Sequence, residues 1–206
     1  MSNSDRIMKF GAVIAAAGKS SRMEAFKPLL KIGALSAAEH VIKNLHAAGV
    51  VDIVLVTGHN AKELESSLQH PDLVFLRNDA YESNEMFDSI KLGLEYLKDK
   101  CRKILVSPVD VPLFEAGTAR ELMKSNISVA IPLFENEPGH PIVIDCGVVP
   151  YILEYNGRGG LRDAITNLAL DVEFIQVSDK GVLFDMDTPA DYEALVKMHY
   201  KSIRGN

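Results

Sequence analysis

The sequence predicts an α/β fold with a doubly wound, mostly parallel sheet and helices on both faces. Three observations lead to this prediction. Apolar runs of strand length alternate with segments of helical spacing through the first half of the chain. The first run is apolar throughout and does not alternate, as is typical of strands buried on both faces of a parallel sheet. Capping and turn residues mark the ends of the helical segments.

The first half of the chain contains four predicted strands with helices between them. Ser36 and Glu39 form a capping-box pattern ahead of the first helix, and Gly49 suits its C-terminal end. Two further helices begin near Asn60 and Met86. The strands are GAVIAAA (11–17), VDIVLVT (51–57), LVFL (73–76) and KILVSP (103–108). This βαβαβαβ order with right-handed crossovers predicts the parallel sheet.

The second half is less regular and is expected to form the wall of a substrate pocket. Strands are predicted for ISVAIPL, HPIVID, EFIQV and VLFDM, and a final helix is predicted from Pro189. Ligands of open α/β sheets bind beyond the carboxyl ends of the strands. The residues to inspect therefore follow the strands, and they are Gly18, Thr57, Asn78 and Asp110.

Composition limits the possible functions. A chain of 206 residues fits a single domain spanning 1–206, and its net charge of −6 provides no basic field for nucleic acid. Cys101 and Cys146 form no CxxC pair, so neither a zinc site nor a disulfide framework is indicated. The apolar run near the N-terminus is too short to span a membrane. We expect a cytoplasmic protein with no membrane and no nucleic-acid partner.

The loop after the first predicted strand has the composition of an anion-binding loop. Its small residues let backbone N–H groups approach a bound phosphate, and Arg22 and Lys27 add positive charge. Two common nucleotide motifs do not fit this loop. A P-loop would require glycine at Val13, and a Rossmann G-x-G-x-x-G would require glycine at Ser20. A solvated basic loop is the remaining alternative.

The longer string AAAGKSSRMEAFKPLL resembles the A-A-G-x-S-x-R-M-G-x-x-K-x-L-L signature of the molybdenum cofactor nucleotidyltransferases, the MobA-like NTP transferases. Glu24 stands where that family usually has glycine. The resemblance runs from Gly11 to Leu195 and implies the nucleotide-diphospho-sugar transferase-like form of the fold. Its further segments are Val56-Thr57-Gly58, Asn78, Met86 to Ser89 and Gly93-Leu94, Pro108-Val109-Asp110-Val111-Pro112, Gly139-His140-Pro141, Gly157 to Gly160-Leu161-Arg162, and Asp185-Met186-Asp187-Thr188-Pro189 with Asp191.

The resemblance implies a role for each of these groups. Catalysis falls to Lys27, Arg22 and Asp110, and Mg²⁺ to Asp110 and Asp187, with Asp185 a weaker candidate. Capping of the last helix is the alternative for Asp187 or Thr188. The implied nucleotide-binding residues are Ala15, Ala16, Ala17, Gly18, Arg22, Lys27, Thr57, Gly58, Asn78 and Ser89. The implied acceptor-binding residues are Gly139, His140, Pro141, Gly160 and Arg162, although a structural histidine is an alternative for His140.

The activity implied by the resemblance is transfer of CMP from CTP to molybdopterin with release of pyrophosphate. Relatives with A-A-G in the first motif resemble the CTP users, whereas those with A-G-G resemble the GTP users. A molybdenum hydroxylase or its chaperone is an implied protein partner. Two alternatives stay open. The acceptor could be a sugar 1-phosphate or phosphocholine, or the chain could carry the cofactor without chemistry, although Lys27 and Asp110 argue against a non-catalytic carrier.

Overall fold

An eight-stranded sheet forms the centre of the protein in a computed structural model, which describes residues 9–18, 23, 25–68, 70, 72–82 and 85–204. A separate hairpin of two short strands lies outside this sheet. The strands are β1 (Phe10–Ala16), β2 (Lys31–Ile32), β3 (Leu35–Ser36), β4 (Asp52–Thr57), β5 (Leu73–Arg77), β6 (Lys103–Pro108), β7 (Val129–Phe134), β8 (Glu137–Pro138), β9 (Ile142–Asp145) and β10 (Val172–Gln176).

Helices cover both faces of the sheet. They are α1 (Ala37–Ala48), α2 (Ala61–Ser67), α3 (Met86–Leu97), α4 (Ala116–Met123), α5 (Val149–Glu154), α6 (Gly160–Asn167) and α7 (Pro189–Arg204), with short 3₁₀ turns at Lys27–Leu29 and Lys180–Val182. Helices α1, α2 and α4 pack on one face, and α3, α5 and α6 on the other. None of the described helices is long and apolar enough to cross a membrane.

The strand order is β10-β7-β9-β6-β1-β4-β5, with β8 paired to β7. Parallel pairs join β6, β1, β4 and β5, and a further parallel pair joins β7 and β10. Strand β9 runs antiparallel to both β6 and β7. The predicted fold class, a mostly parallel doubly wound sheet with helices on both faces, is confirmed.

Strand β1 lies at the middle of both cores because its side chains alternate between the two faces. Ala12 and Ile14 pack among the residues of α1 and α4, whereas Val13 and Ala15 pack among those of α3. All of these positions are almost fully buried. The continuous apolar run in the sequence therefore reflects a strand with no solvent-facing side.

Most predicted elements agree with the structure, with one clear exception. Helix α1 has the predicted capping box at Ser36 and Glu39 and ends at a left-handed Gly49. The prediction of a strand at VLFDM is wrong. The segment begins in a 3₁₀ turn, and its backbone bonds go to loops, with Val182 O accepting from His140 N and Met186 N donating to Asp110 O. Val182 and Met186 are buried, whereas Leu183 and Phe184 are only half-buried.

The contact between α3 and β1 leads to a prediction about stability. Helix α3 crosses β1 at Gly93, where an added Cβ would lie 2.5 Å from Cγ1 of Val13. We expect Gly93→Ala to lower the free energy of unfolding by about 1–3 kcal/mol through overpacking. Gly117 of α4 is the matched control, since an added Cβ there meets no atom within 4 Å. Urea unfolding of both variants measures the effect, and an equally stable Gly93→Ala protein would contradict it.

Candidate functional site

The candidate site lies at the carboxyl end of β1, where the sheet order reverses. Ala15 pairs with Pro108 of β6, and Ala16 pairs with Thr57 of β4. The chain leaves β1 between these two neighbours, so the loop that begins at Gly18 emerges beside the segment holding Asp110. This reversal point is the usual ligand position in a doubly wound sheet.

Lys27 joins the two aspartates that the sequence predicted as metal ligands. Its Nζ lies 3.2 Å from Oδ2 of Asp110 and 2.7 Å from Oδ1 of Asp187. The Lys27 side chain is only 10% exposed, and those of Asp110 and Asp187 are 18% and 28% exposed. Two aspartates that lie 83 and 160 positions from Lys27 in sequence thus meet around its ammonium group.

The sequence left open whether Asp187 or Thr188 caps the last helix, and the hydrogen bonds decide this question. Thr188 and Asp191 form a reciprocal pair, because Thr188 N donates to Asp191 Oδ2 and Asp191 N donates to Thr188 Oγ1. Thr188 is therefore the capping residue of α7. The Asp187 carboxylate, by contrast, is directed to Lys27. At the start of α4, the backbone N–H of Glu115 donates to Asp179.

Negative charge is concentrated around Lys27. The pKa of the Asp185 carboxyl is raised, mainly by burial and further by the nearby charges of Asp187, Asp110 and Asp191. A single lysine therefore faces more than one carboxylate, and the cluster favours an additional cation. Within the described residues no group of three or more His, Cys, Asp or Glu side chains is arranged to hold a metal. Two carboxylates completed by water and phosphate oxygens are a set that Mg²⁺ accepts, so the residues present fit such an ion.

His140 lies close to this cluster. Its ring bonds the Val106 backbone, and its Nδ1 is buried with no hydrogen-bond partner in the described part of the chain. Burial lowers the pKa of His140, and the charge of Asp110 opposes that shift only in part. Burial therefore favours the neutral form of the ring. Both the structural and the acceptor-binding interpretations keep support, because one nitrogen is engaged and the other is not.

A narrow cleft lies on the other side of the β1 loop. Five predicted nucleotide-binding residues line it, namely Ala15, Ala17, Gly18, Asn78 and Ser89. Its volume is about 80 Å³. Asn78 Nδ2 donates to Ser89 Oγ over 3.0 Å, and both side chains are almost fully buried. Tyr81, Glu85 and Met86 complete the lining.

Three other predicted nucleotide-binding residues differ in their positions relative to the cleft. Gly58 packs against the β1 loop, since an added Cβ would lie 2.9 Å from Cβ of Ala17. Thr57 is completely buried, and its hydroxyl donates to Glu65, which also bonds Arg77. A direct contact from the Thr57 side chain is at odds with this geometry, so Thr57 supports the loop from beneath. Ala16 is buried toward the opposite core, which leaves only its backbone for a ligand.

The predicted acceptor residues occupy two separate segments. Gly139 is packed against the backbone of Val182, where an added Cβ would lie 2.5 Å from the carbonyl oxygen. Gly160 begins α6 near Phe87, the neighbour of Met86 in the cleft, and Arg162 is exposed on that helix. Pro141 follows a cis peptide bond with His140 and is buried.

The predicted catalytic residue Arg22 lies outside the described residues. Its role as a clamp on the triphosphate therefore stays a prediction. The neighbouring loop positions 19–21 and 24 also lie outside them, while Met23 at the same loop is buried.

Comparison with known proteins identifies the family. The model of the MobA-like NTP transferase domain matches residues 12–172. The chain belongs to the MobA-like NTP transferase family. It is also similar to bifunctional GlmU proteins, with 34% identity to that of Staphylococcus haemolyticus over 59% of this chain and 27% of GlmU. The GlmU of Francisella tularensis subsp. novicida is 31% identical over 78% of this chain and 36% of that protein. This MobA-like chain thus spans about a third of the length of these relatives.

Solved structures share the fold of this MobA-like NTP transferase. A nucleotidyl transferase from Methanothermobacter superposes with a TM-score of 0.84 at 23% identity, covering 95% of this chain and 99% of that one. Rv0371c of Mycobacterium tuberculosis, solved in complex with manganese, superposes with a TM-score of 0.76 at 19% sequence identity. The superposition covers 92% of this chain and 98% of Rv0371c. The CTP:phosphocholine cytidylyltransferase of Streptococcus pneumoniae superposes with a TM-score of 0.70 at 15% sequence identity. That superposition covers 93% of this chain and 99% of the cytidylyltransferase.

Some residues of the site were not predicted from the sequence. Tyr81 and Glu85 line the cleft, and nothing in their local sequence marks them. Asp179 and Gly181 form a turn that contacts the segments of Asp110 and His140, and they lie between the predicted strands EFIQV and VLFDM, where no element was predicted. Their roles depend on contacts between distant segments, which no local pattern carries.

Proposed function

We propose that this MobA-like NTP transferase is an enzyme that transfers a nucleotidyl group from a nucleoside triphosphate to a phosphorylated small molecule. The observation that carries the proposal is the meeting of Lys27, Asp110 and Asp187 beside a cleft lined by the predicted nucleotide-binding residues. A buried lysine between two carboxylates, next to a loop of small residues, suits a reaction that needs charge neutralisation and positioning more than a protein nucleophile.

The chemistry requires little from the protein beyond placement. An oxygen of the acceptor phosphate attacks the α-phosphorus in line, the bond to the bridging oxygen of the β-phosphate breaks, and pyrophosphate leaves. Because the acceptor oxygen is already anionic, no general base is needed. Lys27 stabilises the charge that develops on the α-phosphate, and Asp110 and Asp187 would hold a divalent cation. When bound, that cation supplies further neutralisation of phosphate oxygens.

For the nucleotide we propose CTP, and for the acceptor molybdopterin. CTP is supported by the A-A-G form of the first motif, with Ala17 in the lining of the cleft. Molybdopterin is supported by the family and by the Gly139-His140-Pro141 match, which the fold brings close to Asp110. Other small phosphates stay rival acceptors, because one protein of similar fold is a CTP:phosphocholine cytidylyltransferase. A molybdenum hydroxylase is the proposed recipient of the product.

Pyrophosphate release is the direct test of this proposal. The full chain is incubated with Mg²⁺, each of the four nucleoside triphosphates and a panel of acceptors containing molybdopterin, sugar 1-phosphates and phosphocholine. We expect release that depends on molybdopterin and is fastest with CTP. Tight molybdopterin binding without any release would instead favour a cofactor carrier. Release with another acceptor alone would reassign the substrate and keep the reaction class.

The proposed preference for CTP over GTP leads to a prediction about the methyl group of Ala17. The Ala17 side chain lines the cleft, and guanine is larger than cytosine, so the methyl group is expected to exclude guanine. The preference should amount to about 1–3 kcal/mol in kcat/KM. Ala17→Gly is expected to reduce it by improving the use of GTP.

The matched control for Ala17→Gly is Ala16→Gly. The Ala16 methyl group faces the opposite core, so its loss should affect CTP and GTP equally. Both ratios are measured with the same acceptor. If Ala17→Gly leaves the ratio of the two nucleotides at its original value, nucleotide choice does not depend on space at this position.

A further inference from the structure

The turn from Asp179 to Leu183 contacts the chain segments that carry the carboxylates around Lys27, namely those of Asp110, Asp185 and Asp187. None of the residues of the turn belongs to the predicted site. It follows β10 and contains the 3₁₀ turn Lys180–Val182. Hydrogen bonds or close packing connect it to the segment after Asp110, to Gly139-His140 and to Asp185.

Asp179 anchors the turn through its carboxylate, which accepts hydrogen bonds from three donors. Its Oδ2 accepts from the backbone N–H of Glu115 at 2.6 Å and from the hydroxyl of Thr118 at 2.8 Å. Its Oδ1 accepts from Gly181 N at 2.9 Å. The residue is only 6% exposed. One buried carboxylate therefore joins the turn to the start of α4, five residues after Asp110.

Two glycines let the turn approach neighbouring backbone closely. An added Cβ on Gly181 would lie 2.2 Å from the carbonyl oxygen of Leu113. An added Cβ on Gly139 would lie 2.5 Å from the carbonyl oxygen of Val182, which accepts a hydrogen bond from His140 N at 2.9 Å. Only glycine permits these separations, so the turn is held directly against the strand-end segments.

The chain then returns from the turn to the metal-ligand candidates. Asp185 N donates to Leu183 O, and Met186 N donates to Asp110 O over 3.1 Å. Met186 is fully buried, and the next residue is Asp187. The hydrogen bond from Met186 to Asp110 therefore joins the two chain segments that carry Asp110 and Asp187. The Asp179 turn joins the same two segments a second time, because it precedes Asp187 in the chain and bonds Glu115 after Asp110.

We propose that Asp179 is a positioning residue that sets the separation between the carboxylates of Asp110 and Asp187. The proposal rests on the divalent-cation site of the proposed function. The carboxylate of Asp179 bonds the turn and the start of α4, and it acts on the site through those contacts. A carboxylate is needed because its partners all donate, and an amide would direct its own N–H₂ group at one of those donors.

The test compares two aspartates that make the same local bond. Asp145 lies in an equivalent Asp-x-Gly turn, where its Oδ1 accepts from Gly147 N at 2.8 Å. Asp145 pairs in the sheet with Lys103, at the end of β6 opposite to Asp110. Asp145→Asn thus makes the same exchange of a carboxylate for an amide in an Asp-x-Gly turn far from the site. Mn²⁺ binding by the full chain, with and without CTP, is measured by electron paramagnetic resonance, and thermal unfolding is recorded for each protein.

We expect Asp179→Asn to weaken Mn²⁺ binding about tenfold, within the range seen when residues supporting metal ligands are removed. Asp145→Asn should leave Mn²⁺ affinity within about twofold of the original protein. The same change in unfolding temperature for both variants, with no change in Mn²⁺ affinity for either, would reduce Asp179 to a structural residue and overturn the proposal.

A second pair of variants keeps the test decisive if Asp179→Asn does not fold. Gly181→Ala pushes the turn away from Leu113, whereas Gly147→Ala meets only Asp145 Oδ1 at 3.1 Å. Weaker Mn²⁺ binding is expected for Gly181→Ala alone. If Mn²⁺ affinity falls as expected but the original protein transfers no nucleotide, positioning holds and the proposed function fails. If the original protein does not bind Mn²⁺, or if Asp110→Asn leaves its Mn²⁺ binding unchanged, the cation site is not at Asp110 and the positioning proposal fails with it.

Discussion

Lys27→Ala is expected to reduce nucleotidyl transfer by about 100- to 1000-fold, or about 3–4 kcal/mol in transition-state stabilisation. The Lys27 ammonium lies between Asp110 and Asp187, and we propose that it stabilises the charge on the α-phosphate. Steady-state pyrophosphate release with CTP and the active acceptor measures the loss. Lys31→Ala is the matched control, because Lys31 is four residues away, has a side chain that is 62% exposed and forms an ion pair with Glu39 outside the site.

Stability measurements separate the chemical role of Lys27 from its structural one. Removing Lys27 leaves two partly exposed carboxylates facing each other, so the loss of stability should fall below the about 3–5 kcal/mol of a fully buried pair. Added Mn²⁺ or Mg²⁺ should offset much of that loss by neutralising the same carboxylates. Turnover should stay low at every metal concentration. A folded Lys27→Ala protein with near-original turnover would remove Lys27 from the mechanism.

Asp110→Asn is expected to abolish activity at ordinary Mg²⁺ concentrations and to raise the half-saturating metal concentration at least about tenfold. The amide keeps the size of the carboxylate but removes the charge that a hard dication requires. Because Asp187 bonds Lys27 while Thr188 caps α7, Asp187→Asn should be comparably damaging. Activity is followed during a Mg²⁺ titration, and Mn²⁺ binding is measured in parallel.

The control for the aspartate variants is Asp52→Asn. Asp52 forms an ion pair of 2.6 Å with Lys9, and its side chain is 30% exposed, close to the 28% of Asp187. It lies at the amino end of β4, opposite to the site. Asp52→Asn should leave the metal titration unchanged. An unaltered titration in Asp110→Asn as well would place the metal on other residues.

Local patterns predicted those parts of the fold that depend on neighbouring residues. The capping box at Ser36 and the left-handed Gly49 fix the limits of α1 through contacts within four residues. The uninterrupted apolar run of β1 indicated a strand buried on both faces. The VLFDM segment did not follow this pattern. Val182 and Met186 are buried, but the backbone of the segment bonds Asp110 and His140 and forms no strand.

The sequence alone determined the family, the parallel sheet and the small-residue loop with Lys27 that follows β1, since each of these is written in contiguous residues and their spacing. The tertiary structure decided which distant groups meet. It showed that Asp187 bonds Lys27 and leaves capping to Thr188, that Thr57 is buried against Glu65, and that Asp179 joins three segments. These outcomes depend on strand order and on backbone approach between residues far apart in the chain. Local propensity contains no information about such distances, so only the folded chain reveals them.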